Sequence, residues 1–341
     1  MNVGMYYNNN DVRVEEMPMP EIGSGEILIK TECCGICGTD VLEWYRLKTA
    51  PRVLGHEATG VITKIGEGVA NFKIGNRVFV AHHVPCNECY YCLRGYHTSC
   101  DTLHRTNFYP GGFSEYIRIP EINVRLGTYR LPENVSFEQG VFIEPLGCVL
   151  RAQRLVKLTS KDTVLIIGAG ISGLLHVKSA IYDKSARVVA VDINEHRLNQ
   201  ALKYGADYTV NAGEDVPLAL KRINENRLAD VVILCTGATQ AVNLALGCID
   251  KGGRILFFAT PPPNVAVTFP INEFWRNEIM VMTSYGASPD DMRDALRLIS
   301  SRNIIVEDMI SHTLPLREIG HGFKLVAEAK DSLKVIIKPN D

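Results

Sequence analysis

The sequence predicts an α/β protein with two parts, a doubly wound parallel sheet and a β-rich domain. Between about residues 159 and 301, short apolar strands alternate with helices, which is typical of a parallel sheet with right-handed crossovers. Before about residue 150, short strands are separated by Gly- and Pro-containing turns. After Ile304 the chain returns to strand-like segments, so we expect the tail to rejoin the first domain. The predicted domains are 1–152 with 303–341, and 153–302.

Individual elements follow from local patterns. Residues 26–32 alternate apolar and polar side chains, as a half-buried strand does, whereas residues 164–167 are all apolar, as in a strand buried on both faces. Strands are predicted in the first domain at 1–7, 12–16, 26–32, 58–65 and 77–81. Strands are predicted in the second at 164–167, 187–192, 208–211, 231–235, 254–259 and 279–284, and helices at 172–182, 195–204, 217–226, 241–249 and 289–301.

The stretch from Thr163 to Asp192 carries the strongest functional signal. A buried strand is followed by Gly168, Gly170 and Gly173, then by an apolar helix and a second strand that ends in an acidic residue. This is the dinucleotide-binding fingerprint in its full βαβ context. The glycines allow a tight turn, close approach of a pyrophosphate and close helix–strand packing, and the helix N-terminus favours the anion.

Composition narrows the class of protein. The chain has 341 residues, a formal net charge of -2, 46% hydrophobic and 22% charged residues, which describes an ordinary globular protein. There is no basic excess to suggest nucleic acid, no signal-peptide pattern and no run of eighteen apolar residues. We therefore expect a cytoplasmic protein with neither nucleic-acid nor membrane partners, whose ten cysteines serve metal binding rather than disulfides.

Four cysteines lie within one short loop. Cys86, Cys89, Cys92 and Cys100 have spacings that let four thiolates surround one tetrahedral ion, leaving no open position. The prediction is a structural zinc in a lobe of about residues 84–102. There are two alternatives. The cysteines could be reduced and bind no metal, which the polar, loop-like surroundings disfavour, or they could hold an iron–sulfur cluster, which the spacing disfavours.

A second set of possible ligands is dispersed. Cys37 lies in C-G-I-C-G-T-D, His56 and Glu57 lie in V-L-G-H-E, and Glu144 follows the apolar residues V-F-I. Each is unconvincing alone, but a carboxylate in an apolar run needs a partner such as a metal. Dispersed Cys, His and carboxylate ligands suit a catalytic zinc that keeps an open position.

Taken in order, these motifs resemble the zinc-dependent medium-chain dehydrogenases of the alcohol dehydrogenase superfamily, in the sorbitol (polyol) and L-threonine dehydrogenase branch. The resemblance covers nearly the whole chain. It rests on C-G-T-D at 37–40, G-H-E at 55–57, the four cysteines, G-G-F-S-E-Y at 111–116, E-P at 144–145 and the nucleotide fingerprint. It implies a GroES-like catalytic domain, a Rossmann coenzyme domain, a cleft between them, and dimers or tetramers built through the coenzyme domains.

The resemblance also implies residue roles. Cys37, His56 and Glu57 fall on zinc-ligand positions, and Glu144 either binds zinc or holds its water. Thr39 would take the proton of the substrate hydroxyl. Asp192 would accept hydrogen bonds from the adenosine ribose and so favour NAD over NADP. The implied cofactor-contacting residues are Gly168, Gly170, Ile171, Ser172, Gly173, Asp192 and Arg197. Arg197 would either stack on the adenine ring or weaken the preference for NAD over NADP.

One position departs from the family pattern. The usual C-G-T-D-x-H has a proton-relaying histidine, but Leu42 stands in its place here. The next proton carrier could be the cofactor ribose with water, Glu43, Glu57, or water alone. The sequence does not decide between them.

The predicted function is a zinc-dependent NAD oxidoreductase of a polyol, namely a sugar alcohol, cyclitol or sugar acid. L-Threonine 3-dehydrogenase is an alternative that Leu42 disfavours, and a non-catalytic NAD- and zinc-binding protein is another. A homotetramer or dimer is expected. Residues that could line the substrate pocket are Trp44, Tyr45, Arg105, Phe108 and Tyr109.

Overall fold

A computed structural model describes residues 1–184 and 187–341 of the chain. These residues form two compact units. The first comprises Met1–Gly147 together with Ala287–Asp341, and the second comprises Cys148–Gly286.

In chain order, the strands are β1 Asn2–Asn8, β2 Asp11–Glu16, β3 Ile27–Ile36, β4 Arg52–Val53, β5 Glu57–Ile65, β6 Arg77–Ala81, β7 Tyr116–Ile119, β8 Thr128–Arg130, β9 Thr163–Ile167, β10 Arg187–Asp192, β11 Tyr208–Asn211, β12 Ala229–Leu234, β13 Ile249–Phe257, β14 Met280–Thr283, β15 Ile310–Pro315 and β16 Lys334–Lys338. The α-helices are α1 Glu43–Arg46, α2 Tyr90–Leu93, α3 Asp101–Arg105, α4 Glu121–Gly127, α5 Phe137–Gly140, α6 Ile143–Leu155, α7 Ile171–Tyr182, α8 Glu195–Lys203, α9 Val216–Ile223, α10 Thr239–Gly247, α11 Ile271–Arg276, α12 Pro289–Ser300 and α13 Ile319–Glu328. Short 3₁₀ helices occupy Gly38–Val41, Leu47–Thr49, His97–Ser99, Glu307–Met309 and Leu316–Glu318. Among the helices of residues 1–184 and 187–341, none has the length and apolar character needed to cross a membrane.

The first unit is built on β-sheet. Its main sheet has the order β15-β16-β3-β5-β6-β8, with β7 also paired to β3, and a smaller sheet has the order β2-β1-β4. Apolar side chains such as Ile27, Ile29 and Ile62 alternate inward from β3 and β5 and fill the core. β16 pairs with β3, so the C-terminal strand completes the sheet of the first unit.

The second unit is a parallel sheet in the order β11-β10-β9-β12-β13-β14. Its first strand in the chain, β9, lies centrally, and the strand order then runs outward in both directions. This is the order of dinucleotide-binding folds. All five residues of β9 are buried, which agrees with the apolar run at 164–167. The predicted fold class, a β-rich domain plus a Rossmann-type parallel sheet, is confirmed.

The short helices α1 to α5 and α11 were not predicted, and neither were two longer helices, α6 and α13. The expectation of strand-like segments after Ile304 is wrong for α13, and α6 lies at the end of the segment interpreted as β-rich. Gly320 and Gly322 weaken the intrinsic helix preference of α13. A side chain at Gly322 would press against Ile36 and Ile337, so this glycine lets the helix pack closely on the sheet.

The contact-based division also differs from the predicted boundaries. It falls after Gly147 and after Gly286, whereas the sequence placed boundaries at 152/153 and 302/303. As a result, α12 belongs to the first unit. Two hydrogen bonds attach it there: Tyr129 OH lies 3.3 Å from the carbonyl of Pro289, and Asn134 Nδ2 lies 2.8 Å from that of Ser300.

Candidate metal and dinucleotide sites

The four clustered cysteines converge in the first unit. The Sγ atoms of Cys89 and Cys92 are 3.6 Å apart, those of Cys86 and Cys100 are 3.6 Å apart, and those of Cys86 and Cys92 are 4.0 Å apart. Four sulfurs about 2.3 Å from a tetrahedral zinc would be separated by roughly 3.8 Å. The sulfur arrangement therefore fits one zinc ion with a closed thiolate shell.

Backbone amides support the negative charge of these sulfurs. The N–H of Cys86 donates to Cys100 Sγ at 3.4 Å, and the N–H of Cys89 donates to Cys86 Sγ at 3.3 Å. Burial raises the pKa of Cys100, but hydrogen bonds to the backbone of Cys86 and Leu103 and to the side chains of Cys86 and Thr102 outweigh burial and lower it to about 6. Burial raises the pKa of Cys92 to about 12, so the support is strongest at Cys100. A thiolate is the form that binds metal, so the backbone favours the ligand state.

Three of the four dispersed candidates also meet. The ligand atoms of Cys37, His56 and Glu57 all lie within 4.8 Å of one another, and we call this group the Cys37 cluster. The pairing of β3 with β5 explains the meeting, because it places Gly35 opposite Glu57. Cys37 follows directly after β3, while His56 and Glu57 stand at the start of β5.

Asp40 orients the histidine of the Cys37 cluster. Its Oδ1 lies 3.4 Å from His56 Nδ1, and its Oδ2 accepts the Cys37 N–H at 3.1 Å. Burial lowers the pKa of His56, but Asp40 and Cys37 outweigh burial and raise it well above the usual value. Since Nδ1 faces the carboxylate, Nε2 is the ring nitrogen left for a metal, as is common for metal-binding histidines.

The two carboxylate oxygens of Glu57 have different environments. Oε2 accepts a hydrogen bond from Lys334 Nζ at 2.6 Å, and both side chains are almost completely buried. Oε1 is buried without a hydrogen-bond partner. A buried carboxylate oxygen with no partner is costly unless something binds it. Together with a thiolate and an imidazole it gives the mixed donor set that zinc prefers, so these residues fit a zinc ion.

Glu144 lies in the first turn of α6 and is only 8% exposed. It is outside the group of three ligand atoms that meet, although its charge reaches the same region. Burial lowers the pKa of Lys334, whereas Glu57 and, more weakly, Glu144 raise it, and the net shift is upward. Direct or water-mediated contact of Glu144 with a metal stays a prediction.

Thr39 stands beside the Cys37 cluster on the first 3₁₀ helix. Its Oγ1 donates to Cys37 Sγ at 3.3 Å and accepts from Arg46 Nη2 at 3.3 Å. The side chain of Leu42 is 38% exposed and offers no proton-accepting atom. Arg46, which the sequence analysis overlooked, is therefore the charged side chain bonded to the Thr39 hydroxyl.

The fingerprint glycines of the second unit show the expected geometry. Gly168 has φ +95°, and a side chain at Gly173 would collide with the Gly168 carbonyl oxygen. A Cβ at Gly170 would meet nothing within 4 Å, so the protein's own packing does not require that glycine. Free space at this position is what a bound pyrophosphate would need.

The acidic end of β10 lies against the same loop. Asp192 Oδ2 accepts the Ala169 N–H at 2.7 Å, and Oδ1 accepts the Asn194 N–H at 2.9 Å. Arg197 Nη1 lies 3.8 Å from Asp192 Oδ2. Ile171 begins α7, directly after Gly170, which puts the N-terminus of that helix at the glycine loop.

The other pocket candidates differ in exposure. Phe108 is buried, and its ring centroid is 6.4 Å from that of His82, which is itself 4.8 Å from His56. The rest are exposed side chains: Trp44, Tyr45, Arg105 and Tyr109. Besides Arg46, the sequence analysis missed Lys334 and His82. A lysine at the start of an otherwise apolar strand was the available signal for Lys334.

Comparison with known proteins agrees with this geometry. Residues 23–128 match the alcohol dehydrogenase GroES-like domain, and residues 173–301 match the zinc-binding dehydrogenase domain. The chain belongs to the zinc-binding alcohol dehydrogenase family. It is 31% identical to sorbitol dehydrogenase of Mus musculus, with 97% of this chain and 94% of the relative covered. It is 30% identical to the probable D-xylulose reductase A of Aspergillus fumigatus, with 96% and 94% covered.

A solved structure shows the same fold. This is an alcohol dehydrogenase of Escherichia coli CFT073 in complex with NADH, at a TM-score of 0.86, 27% identity and 99% coverage of both chains. The predicted family resemblance is thus confirmed.

Proposed function

We propose that this dehydrogenase interconverts a secondary alcohol of a polyol and the corresponding ketone, using zinc and NAD. The observation that carries the proposal is the Cys37 cluster, in which Glu57 Oε1 is buried without a partner and the Thr39 hydroxyl lies against Cys37. The names of the curated relatives, sorbitol dehydrogenase and D-xylulose reductase, support a polyol substrate.

The proposed roles follow from the chain's own residues. Cys37, His56 and Glu57 would hold zinc, Glu144 would assist directly or through water, and the four-cysteine cluster would hold a structural zinc. When bound, zinc supplies acidification of the substrate hydroxyl and NAD supplies the hydride acceptor. Asp192 supports the choice of NAD, because a 2′-phosphate would face its carboxylate.

Thr39 would receive the substrate proton at Oγ1 and release it to water. The residue is exposed, so solvent reaches it. Arg46 cannot act as the next carrier, because its guanidinium stays protonated. Glu43, one of the sequence-based candidates, accepts the Asn9 N–H at 3.1 Å, and Glu57 Oε2 is bonded to Lys334. These contacts favour water over a side-chain relay past Leu42.

We further infer self-association through the end of the parallel sheet. β14 is the last strand in the sheet order, and its Met280 and Val281 are 50% and 41% exposed. Beside it, Trp275 is 75% exposed and lines a groove of about 790 Å³. A sheet end with exposed apolar side chains invites pairing with a second strand. A dimer or tetramer is therefore proposed; cytoplasmic location stays a prediction.

NADH formation across a substrate panel tests the proposed function. The zinc-loaded protein is assayed with NAD and sugar alcohols, cyclitols, sugar acids and L-threonine. We expect a polyol to be oxidised and the variant Cys37→Ala to lose at least about a hundredfold in kcat/KM. Cys248→Ala, which removes a cysteine in the second unit, is the matched control. Oxidation of L-threonine alone, or of no alcohol, would overturn the proposal.

A further inference from the structure

Arg46 is held against the candidate proton acceptor by four contacts. Its Nε donates to the Thr39 carbonyl at 2.9 Å, and its Nη2 donates to Asp40 Oδ1 at 2.9 Å and to Thr39 Oγ1 at 3.3 Å. The guanidinium carbon also lies 4.8 Å from the centre of the Tyr45 ring, which is a cation–π contact. The side chain is only 14% exposed. These contacts fix the orientation of the guanidinium relative to the Thr39 hydroxyl.

The local fold brings Arg46 back to Thr39, although the two are seven residues apart in the sequence. Thr39 lies in the first 3₁₀ helix, and α1 begins directly after Leu42, whose carbonyl accepts the Arg46 N–H at 2.9 Å. Asp40 is completely buried, lies 2.9 Å from the guanidinium and also lies 3.4 Å from His56 Nδ1. Arg46 is therefore linked to a proposed zinc ligand and to the proposed proton acceptor.

The Thr39 hydroxyl has two of its three hydrogen-bonding positions filled. A hydroxyl carries one proton and two lone pairs. In the structure the Thr39 hydroxyl donates its proton to Cys37 Sγ at 3.3 Å, and Arg46 Nη2 takes one lone pair. Within the part of the chain that the structure describes, no other group bonds to Oγ1. One lone pair is left, and a substrate hydroxyl can donate to it.

The guanidinium also affects how a proton can move at Oγ1. It has no free lone pair and stays protonated, so it neither accepts a proton from Oγ1 nor gives one to it. Its charge opposes a second proton on Oγ1, and it stabilises the negative charge that develops there when the first proton leaves. Arg46 therefore favours departure of the proton that Thr39 already carries as another proton arrives.

We propose that Arg46 is a positioning residue that orients the Thr39 hydroxyl for proton transfer and compensates for Leu42. The substrate O–H bond breaks as a new O–H bond forms at Thr39 Oγ1, and the proton that Thr39 carried before passes to water. Arg46 gains and loses no proton, and the hydride is accepted by NAD as in the proposed function. This inference rests on the proposed function, because it concerns the same alcohol oxidation.

A double-mutant cycle tests whether Arg46 acts through Thr39. NADH formation from the best alcohol of the panel is measured for the wild type, Arg46→Gln, Thr39→Val and the double variant. We expect Arg46→Gln to lower kcat about ten- to a hundredfold, the effect of one charge-assisted hydrogen bond, with little change in KM. The double variant should be no slower than Thr39→Val. Losses that multiply, or a Thr39→Val variant as active as the wild type, would overturn the inference.

Two further measurements separate this role from structural support. In heavy water we expect kcat to fall more for Arg46→Gln than for the wild type, because release of the Thr39 proton becomes slower and limits the rate. Elemental analysis should find about two zinc ions per chain in both proteins. Equal isotope effects, or loss of one zinc from Arg46→Gln, would show that Arg46 only supports Asp40 and His56.

Two more variants complete the design. Arg46→Lys covers the case in which Arg46→Gln does not fold. It keeps the charge but lacks the planar fork of the guanidinium, so we expect a smaller loss of kcat that disappears in combination with Thr39→Val. Arg293→Gln, which changes an exposed arginine on α12, is the control and should match the wild type.

The two proposals fail separately. If only L-threonine is oxidised, the proposed polyol substrate is wrong, and the same cycle measured with L-threonine decides the role of Arg46. If a polyol is oxidised and the losses of Arg46→Gln and Thr39→Val multiply, the role of Arg46 is wrong and the proposed function stands. A wild type that oxidises no alcohol overturns both.

Discussion

At the scale of single residues, Glu57 contributes both to the stability of the fold and to the proposed metal site. One oxygen is held by Lys334 at 2.6 Å and the other has no partner. Lys334 lies on β16, far away in the sequence, and directly precedes Val335, which pairs with Ile36 of β3 beside the cluster. A lysine this deeply buried is stable only because the carboxylate faces it.

Removing the lysine should expose this dependence. In metal-free protein, Lys334→Met leaves the Glu57 carboxylate buried without its partner, so we expect the free energy of unfolding to fall by about 3–5 kcal/mol. The double variant Lys334→Met/Glu57→Gln should recover much of the loss. Urea unfolding monitored by circular dichroism measures both. A loss below about 1 kcal/mol in the single variant would show that the pair does not carry this energy.

Asp192 should control the choice of cofactor. Asp192→Ser removes the carboxylate that a 2′-phosphate would face, so we expect the kcat/KM ratio of NAD to NADP to fall at least about tenfold. Asp207→Ser is a matched control, because Asp207 also accepts a strand N–H, that of Val188, at 2.7 Å. An unchanged ratio in Asp192→Ser, or a wild type that prefers NADP, would refute the role of Asp192.

The sequence revealed the candidate ligand residues better than the residues that support them. Cys37, His56 and Glu57 belong to short motifs, and the structure brings them together. Lys334 meets Glu57 from 277 residues away, and Arg46 meets Thr39 and Asp40 only because the chain turns back between them. Neither contact is visible in a linear pattern. The environment of Glu57 could not be predicted because it depends on which residue of β16 reaches Glu57 across β3.

At the scale of elements, α7 carries a buried histidine that links it to α6. Gln153 Nε2 lies 3.2 Å from His176 Nδ1 and donates to the His176 carbonyl at 2.9 Å. The His176 ring meets Phe258 edge to face, with centroids 4.7 Å apart. Burial lowers the pKa of His176 to about 3, so the folded protein keeps this ring neutral.

This histidine should destabilise the fold in mild acid. As the pH falls from about 6.5 toward 3, the unfolded chain binds a proton that the folded chain does not, so stability decreases. The contribution approaches roughly 1.4 kcal/mol per pH unit. His176→Leu should therefore lose less stability than wild type between about pH 6 and 4.5, as measured by urea unfolding at each pH. His321→Leu, an exposed position on α13, should follow wild type. Parallel curves for His176→Leu and wild type would contradict this account.

Strands and helices were predicted correctly where the spacing of apolar residues along the chain was regular. The strands of the parallel sheet and its helices α7 to α10 were found within a few residues, because each apolar run was bounded by turn residues. α6 and α13 were missed for different reasons. α6 begins with I-E-P-L-G, where Pro145 is tolerated in the first turn but conceals the helix, and α13 contains Gly320 and Gly322.

At the scale of the whole molecule, the free end of the parallel sheet is the surface proposed for association. Met280→Lys places a charge among the exposed apolar side chains of β14 and Trp275, so we expect the oligomer to dissociate at least in part. Sedimentation velocity measures the change. Leu202→Lys, on exposed α8, is the control and should leave the assembly intact. A monomeric wild type, or an unchanged oligomer in Met280→Lys, would contradict the proposed interface.

The order of the predicted strands and helices along the chain was enough to predict the overall architecture. Alternating strands and helices predicted the parallel sheet, and the structure gives it the dinucleotide-binding strand order. The boundaries between the two units were harder to predict from the sequence. α12 has the same sequence pattern as the helices of the second unit, but its hydrogen bonds to Tyr129 and Asn134 attach it to the first.

The central claim is that Cys37, His56 and Glu57 hold a catalytic zinc distinct from the zinc of the four-cysteine cluster. Elemental analysis of purified wild type and of Cys37→Ala, on samples also assayed for NADH formation from the best polyol, tests it most directly. We predict about two zinc ions per chain in the wild type, and about one with activity lost in the variant. A variant that keeps both zinc ions and its activity, or an active wild type with only one zinc, would contradict the claim.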